Sequence, residues 1–185
     1  MLPNPMSPEE CVRFSREHLA YEIEMFCKLA ETMGPFGISP GPPDPGKTDR
    51  LARLESFGIH TRVLVDFLRL PPTAQPTDVW AGNFFENYTL WQPDDLSDIL
   101  TLHCRRAGRD IAHLSRNRLY GEPDEKRWPL KAIERDVLVL LNRFVTEAPS
   151  SRLHSSVKDL VEQHMSDRWH YLEHYLRPLK PHDHR

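Results

Sequence analysis

The chain is short of cysteine and lysine, and it has no long apolar run. Three cysteines, Cys11, Cys27 and Cys104, are too few and too scattered for a disulfide framework or a zinc ribbon. They read as small core residues. No stretch approaches the roughly 20 consecutive apolar residues needed to cross a bilayer. The opening MLPNPMSPEE lacks a basic region followed by an apolar one, so a cytoplasmic protein with no membrane association is expected. Neither a Gly-rich phosphate loop nor Cys-x-x-Cys occurs, which leaves nucleotide triphosphatase and thiol redox chemistry without a footing, and no cofactor is expected. Sustained alternation bounded by hairpin turns is missing, and so is any repeat of 20–50 residues.

What is present is charge and helical periodicity. Hydrophobic residues make up 39% and charged residues 28% of 185, the balance of a soluble globular chain of one domain. The net charge of −3 argues against a general polyanion binder. Locally the picture differs. Eighteen of the 24 basic residues are Arg, whose planar fork suits phosphate and carboxylate. Residues 103–118 carry five Arg against one Asp, and residues 9–31 carry six Glu against three basic residues, so the two segments should attract each other.

Ser7-Pro8-Glu9-Glu10 is a helix start. Ser7 can cap, Pro8 sits where its missing N–H costs nothing, and Glu10 can reach back. The periodicity predicts helices over 8–33, 48–70, 93–118, 129–147 and 151–176. Between the first two, residues 34–46 hold five Pro and four Gly and cannot form regular structure. Residues 71–92 hold Trp80, Phe84, Phe85, Tyr88 and Trp91, too apolar for a free loop. They are expected to fold back over the helices, with a short helix at 78–83. The fold class is all-α: an antiparallel bundle of four long helices with a fifth alongside, one domain over 1–178, and a flexible tail at 179–185.

Placing residues at about 100° per position picks out polar groups inside apolar arcs. On the first helix these are His18 and Glu22, four apart. On the second it is His60, with Arg53 two turns before it. Glu55, Arg62, Asp66 and Arg69 share the opposite face and read as a solvated ion-pair stripe. On the third, His103, Arg106, Asp110, His113 and Asn117 form a seam at spacings of 3, 4, 3 and 4 beside the apolar face. Unpartnered ionisable groups are costly to bury, so the seam must meet partners, water or a ligand. Three readings follow. The seam is an internal network, with Glu22 bonded to His18 or His60 and Arg106 to Asp110; or it lines a catalytic or phosphate-binding cleft; or His18, Glu22, His60 and His113 hold a metal. On the last helix, Asp167, His170 and His174 share a face that can chelate a divalent ion or simply be solvated.

The run Arg106-Ala-Gly-Arg-Asp-Ile-Ala-His113 resembles the Arg-x(4–6)-His motif of HEPN-domain proteins. These are α-helical bundles that include RNases and non-catalytic binding modules. The resemblance implies metal-independent RNA cleavage with His113 as general acid or base and Arg106 stabilising charge on the phosphate. Asp110 would orient one of them, and His60 would be a second acid–base group. It also implies a homodimer. Arg53, His18, Glu22 and His103 would line the binding surface. The stretches 16–25, 55–62 and 111–115 are similar to a group of bacterial helical proteins with no assigned activity. Against the RNA-directed reading stand a non-enzymatic helical interaction protein with a structural polar core, and a metal-binding bundle.

Overall fold

The computed structural model describes residues 3–33, 46–111 and 128–176, without the side chains of Lys47, Asp110 and 168–176. Every regular element among the described residues is helical. α1 (Pro8–Phe14) runs through a π-helical turn (Ser15–Leu19) into α2 (Ala20–Thr32). α3 spans Lys47–Arg69. Two 3-10 turns follow, Ala81–Phe84 and Tyr88–Leu90. α4 (Asp98–Arg106) continues into a second π-helical turn (Ala107–Ile111). α5 is Leu130–Glu147 and α6 is Ser155–Leu176.

The N-terminal capping box forms as the sequence predicts. The Glu10 N–H donates to Ser7 Oγ at 3.2 Å, and the Ser7 N–H donates to Glu10 Oε2 at 2.8 Å. α3 ends at a chain reversal. Leu70 adopts φ 46°, and the following Pro71 disfavours a helical conformation there, so the helix stops. α4 begins at Asp98, later than the expected 93. The stop is local chemistry: Ser97 Oγ accepts the Leu100 N–H at 3.1 Å and donates to Asp136 at 2.5 Å. The residues before it are drawn outward by ion pairs, Asp94 to Arg143 at 2.7 Å and Asp95 to Arg69 at 3.8 Å. α6 likewise starts four residues beyond the expected 151, after a turn in which Pro149 O accepts the N–H groups of Arg152 and Leu153.

The core gathers α2, α3, α5 and α6 around Ile23, Phe26, Phe57, Leu64, Ile133, Leu141 and Val157, all buried. Phe26 stacks on Phe57 at 5.1 Å and joins α2 to α3. The segment 71–92 folds back over one end of this core, as its aromatics require. Phe84 and Trp91 are fully buried against Phe144, at ring separations of 5.4 and 5.7 Å. Each such side chain contributes roughly 1.5–3 kcal/mol by leaving water. The Trp91 indole N–H donates to Leu68 O at 2.7 Å and so caps the end of α3. The expected short helix at 78–83 is replaced by the two 3-10 turns, in which Asn83 Oδ1 accepts the Trp80 N–H at 3.0 Å.

Candidate functional site

Two π-helical turns fall beside the polar residues that the sequence singles out. In the first, the Ala20 N–H bonds Ser15 O, five residues back. The buried residues there are Cys11, Ser15, Leu19 and Ile23, a strict spacing of four. In an ordinary helix that stripe would drift by about 40° per step and leave the core. The extra residue of the π turn takes the drift back. His18 is thereby moved out of the apolar arc: it is exposed, with its ring on Phe14 at 5.2 Å, which corrects its expected placement. Ser15 is turned inward instead, where its Oγ accepts the His154 N–H at 3.0 Å and ties this turn to the start of α6.

Glu22 finds its partner on α3. Its Oε2 lies 2.6 Å from His60 Nδ1, and Glu22 is half-buried while His60 is buried. Arg53, expected to share the His60 arc, is exposed and paired with Asp49 at 2.9 Å. The reason is positional: residues 48–56 contain no buried side chain, so that part of α3 extends past the core.

The second π turn continues the predicted seam. His103 and Arg106 are buried on α4. His103 Nδ1–H donates to Ile99 O at 2.8 Å, which leaves Nε2 to accept from Arg106 Nη1 at 3.2 Å. The Arg106 guanidinium also lies 5.0 Å from the Trp128 ring centre, and His103 meets the same ring edge-on at 5.0 Å. These two seam residues are therefore engaged with Trp128, a residue the helical projection could not bring to them. His113, Asn117 and the Asp110 side chain lie outside the described residues.

Beyond this pair the surface opens into a shallow depression of about 500 Å³ lined by Arg62, Asp66, Cys104, Arg105, Gly108 and Arg109. Gly108 matters because Arg62 lies across it: a Cβ there would stand 2.6 Å from Arg62 Nη1. Burial pushes the Cys104 thiol up to about 12, and the neighbouring Asp66 charge adds to the effect while Arg62 opposes it. That thiol is inert at neutral pH.

A second concavity of about 420 Å³ meets the first at Asp66, which lines both, and lies between the first π turn and the 71–80 segment. Its walls are apolar, from Phe14, Leu19, Val63, Phe67, Val79 and Trp80. Its polar groups are His18, Glu22, Asp66 and Asp78. Among the described residues no Lys or Arg lines it. Burial raises the Asp66 carboxyl above the usual range; Arg62, at 3.4 Å, pulls it back, and the Asp78 charge raises it further. The stripe of Glu55, Arg62, Asp66 and Arg69 is thus only partly a solvated surface.

Among the described residues no group of three His, Cys, Asp or Glu converges to hold a metal ion. Asp167 is exposed, and the side chains of His170 and His174 lie outside the described residues. Gly37-Ile38-Ser39-Pro40-Gly41 spells the Gly-x-Ser-x-Gly of hydrolase elbows, but it too lies outside them, and the described residues hold no strand to support such an elbow. No described helix is long and apolar enough to cross a membrane. No known family model, curated protein or solved structure matches the chain.

Proposed function

We propose that the chain is a HEPN-like helical bundle, four long antiparallel helices with a fifth alongside, that binds RNA as a cytoplasmic homodimer. Phosphates would sit in the depression beside the second π turn, and the buried His103–Arg106–Trp128 cluster would be structural. The observation that carries this reading is that three Arg, Arg62, Arg105 and Arg109, line one depression with Gly108, across which the Arg62 guanidinium lies. Guanidinium forks lining one depression match the oxygens of a phosphate, and each one engaged releases a counterion. Asp66 offsets part of the charge, which favours modest, salt-sensitive binding. The aromatics of 80–91 are mostly buried in the core and supply no stacking platform except the exposed Tyr88.

The test is fluorescence anisotropy with a single-stranded RNA across a salt series. Arg105→Ala and Arg109→Ala should each weaken binding and lower the slope of log K against log salt by roughly 0.7. No binding at low salt, or variants that bind like wild type, would reject the reading.

A ribonuclease activity is a second reading, favoured by one observation. The π turn Ala107–Ile111 falls between Arg106 and His113, and such turns collect at functional sites. In it His113 is the acid–base residue, Arg106 stabilises phosphate charge, Asp110 orients one of them, and His60 assists. Cleavage of RNA that persists in chelator and vanishes in His113→Ala would support it. Cleavage surviving that substitution, or none in wild type, would remove it.

A further inference from the structure

The concavity between the first π turn and the 71–80 segment meets the arginine-lined depression at Asp66 but differs from it in the rest of its lining. It is mostly apolar, and its acidic groups are Glu22, Asp66 and Asp78. Its volume, about 420 Å³, is that of a small-molecule site. Three carboxylates, Glu22, Asp66 and Asp78, reach it from three separate segments, α2, α3 and the 71–80 connection. Each spends one oxygen on the protein: Glu22 Oε2 on His60 at 2.6 Å, Asp66 Oδ2 on Arg62 at 3.4 Å, and Asp78 Oδ2 on the Gln75 N–H at 2.7 Å. These contacts orient the carboxylates and leave the second oxygen of each without a hydrogen-bond partner among the described residues. Arg62 offsets Asp66 from outside the cleft, but no Lys or Arg lines it among the described residues, so its remaining negative charge disfavours phosphate and carboxylate ligands. Phe14 and Trp80 line the same wall, and aromatic side chains suit a cation further. The first π turn contributes His18 and the buried Leu19 to this lining, with Phe14 just before it.

We propose that this cleft binds a small organic cation: a protonated amine on an apolar or aromatic body, its ammonium held by Asp66 and Asp78 and its body lying against Phe14, Leu19 and Trp80. Charge complementarity selects the cation and the apolar wall selects the body, so a bare inorganic cation or a polar amine binds poorly.

The experiment follows the Trp80 indole N–H resonance during titration with hexylammonium, octylammonium and phenethylammonium ions. The matched carboxylates hexanoate, octanoate and 3-phenylpropionate serve as controls. The ammonium ions should shift the resonance saturably, more tightly with the longer chain, and the carboxylates should not. Asp78→Asn removes one charge yet keeps an oxygen for the Gln75 N–H, and Val63→Lys places a competing cation at a half-exposed wall position. Each should weaken the ammonium ions roughly tenfold, the usual loss for a hydrogen bond to a charged group. Asp159→Asn, the same charge change on an exposed turn of α6, should leave binding unchanged. A Trp80 resonance unmoved by every ammonium ion, equal response to the carboxylates, or equal weakening by Asp159→Asn would each overturn the assignment. RNA binding by the Asp78 and Val63 variants should match wild type, so this site and the arginine depression fail or stand separately.

Discussion

His60 Nδ1 lies 2.6 Å from Glu22 Oε2, and this one contact spans α2 and α3 behind the apolar cleft. It decides between the two partners that the sequence allowed for Glu22, because the π turn carries His18 to the surface. The bond has a measurable consequence. Replacing either partner leaves the other half-buried and unsatisfied, which costs about 1–3 kcal/mol, while replacing both removes the orphaned group. Glu22→Ala and His60→Ala should therefore each lower stability in urea by about that amount. The double variant should lose clearly less than the sum. Additive losses would mean that the contact does not contribute.

The glycines of the two packed helices give a paired prediction. A Cβ on Gly58 would stand 2.5 Å from Ile111 Cδ1 and 3.1 Å from Trp128 Cη2, so α3 approaches the second π turn as closely as it does only because Gly58 has no side chain. Gly58→Ala should destabilise by about 1–3 kcal/mol through overpacking. At Gly108 the obstacle is the mobile end of Arg62, at 2.6 Å. Gly108→Ala should be neutral or stabilising by about 0.5–1 kcal/mol, the helical preference of Ala over Gly, while it displaces the Arg62 guanidinium. Thermal unfolding of the two variants side by side reads the difference. Equal effects would contradict the packing described.

Much of this was legible in the chain because it is local. The Ser7–Glu10 capping box, the end of α3 before Pro71 and the 3-residue step from His103 to Arg106 are short-range facts, and the structure keeps each of them. The burial of Cys11 and Cys27 follows equally from their small apolar character. What escaped depends on a change of helical pitch or on distant segments. A uniform projection at about 100° per residue cannot anticipate a π turn, so it put His18 inside. The one available signal was the four-residue spacing of Cys11, Ser15, Leu19 and Ile23. Trp128 joins His103 and Arg106 from far along the chain, and Asp78 meets Asp66 only because 71–80 folds back. Neither meeting has a signature in spacing.

Cys104 illustrates how such a meeting sets reactivity. Burial and the Asp66 charge together hold its thiol up at about 12. The thiolate is the reactive form, so Cys104 should resist a disulfide reagent such as DTNB at pH 8 for as long as the fold persists. Asp66→Asn removes one of the two causes and should speed the reaction only slightly, since burial is the larger. Rapid native-state labelling of Cys104, located by peptide mass mapping, would show that the site is more open than described.

His164 on α6 carries a pH dependence whose sign is fixed by its surroundings. Burial lowers its imidazole below the ordinary value, against Asp167, Glu31 and Glu24, which raise it, and with Lys28, which lowers it. In the unfolded chain the same group titrates near about 6.5. As pH falls through that value the unfolded state takes up a proton first, so the folded state loses stability until its own lower value is passed, below which the contribution is constant. His164→Gln removes that proton uptake. Urea unfolding from about pH 7.5 to about pH 5 should thus show a shallower decline for the variant than for wild type. Their difference should be constant well above about pH 6.5 and change as pH falls through it. A decline of the same steepness in both chains would mean that the acid sensitivity comes from other groups, and that the burial of His164 has no energetic weight.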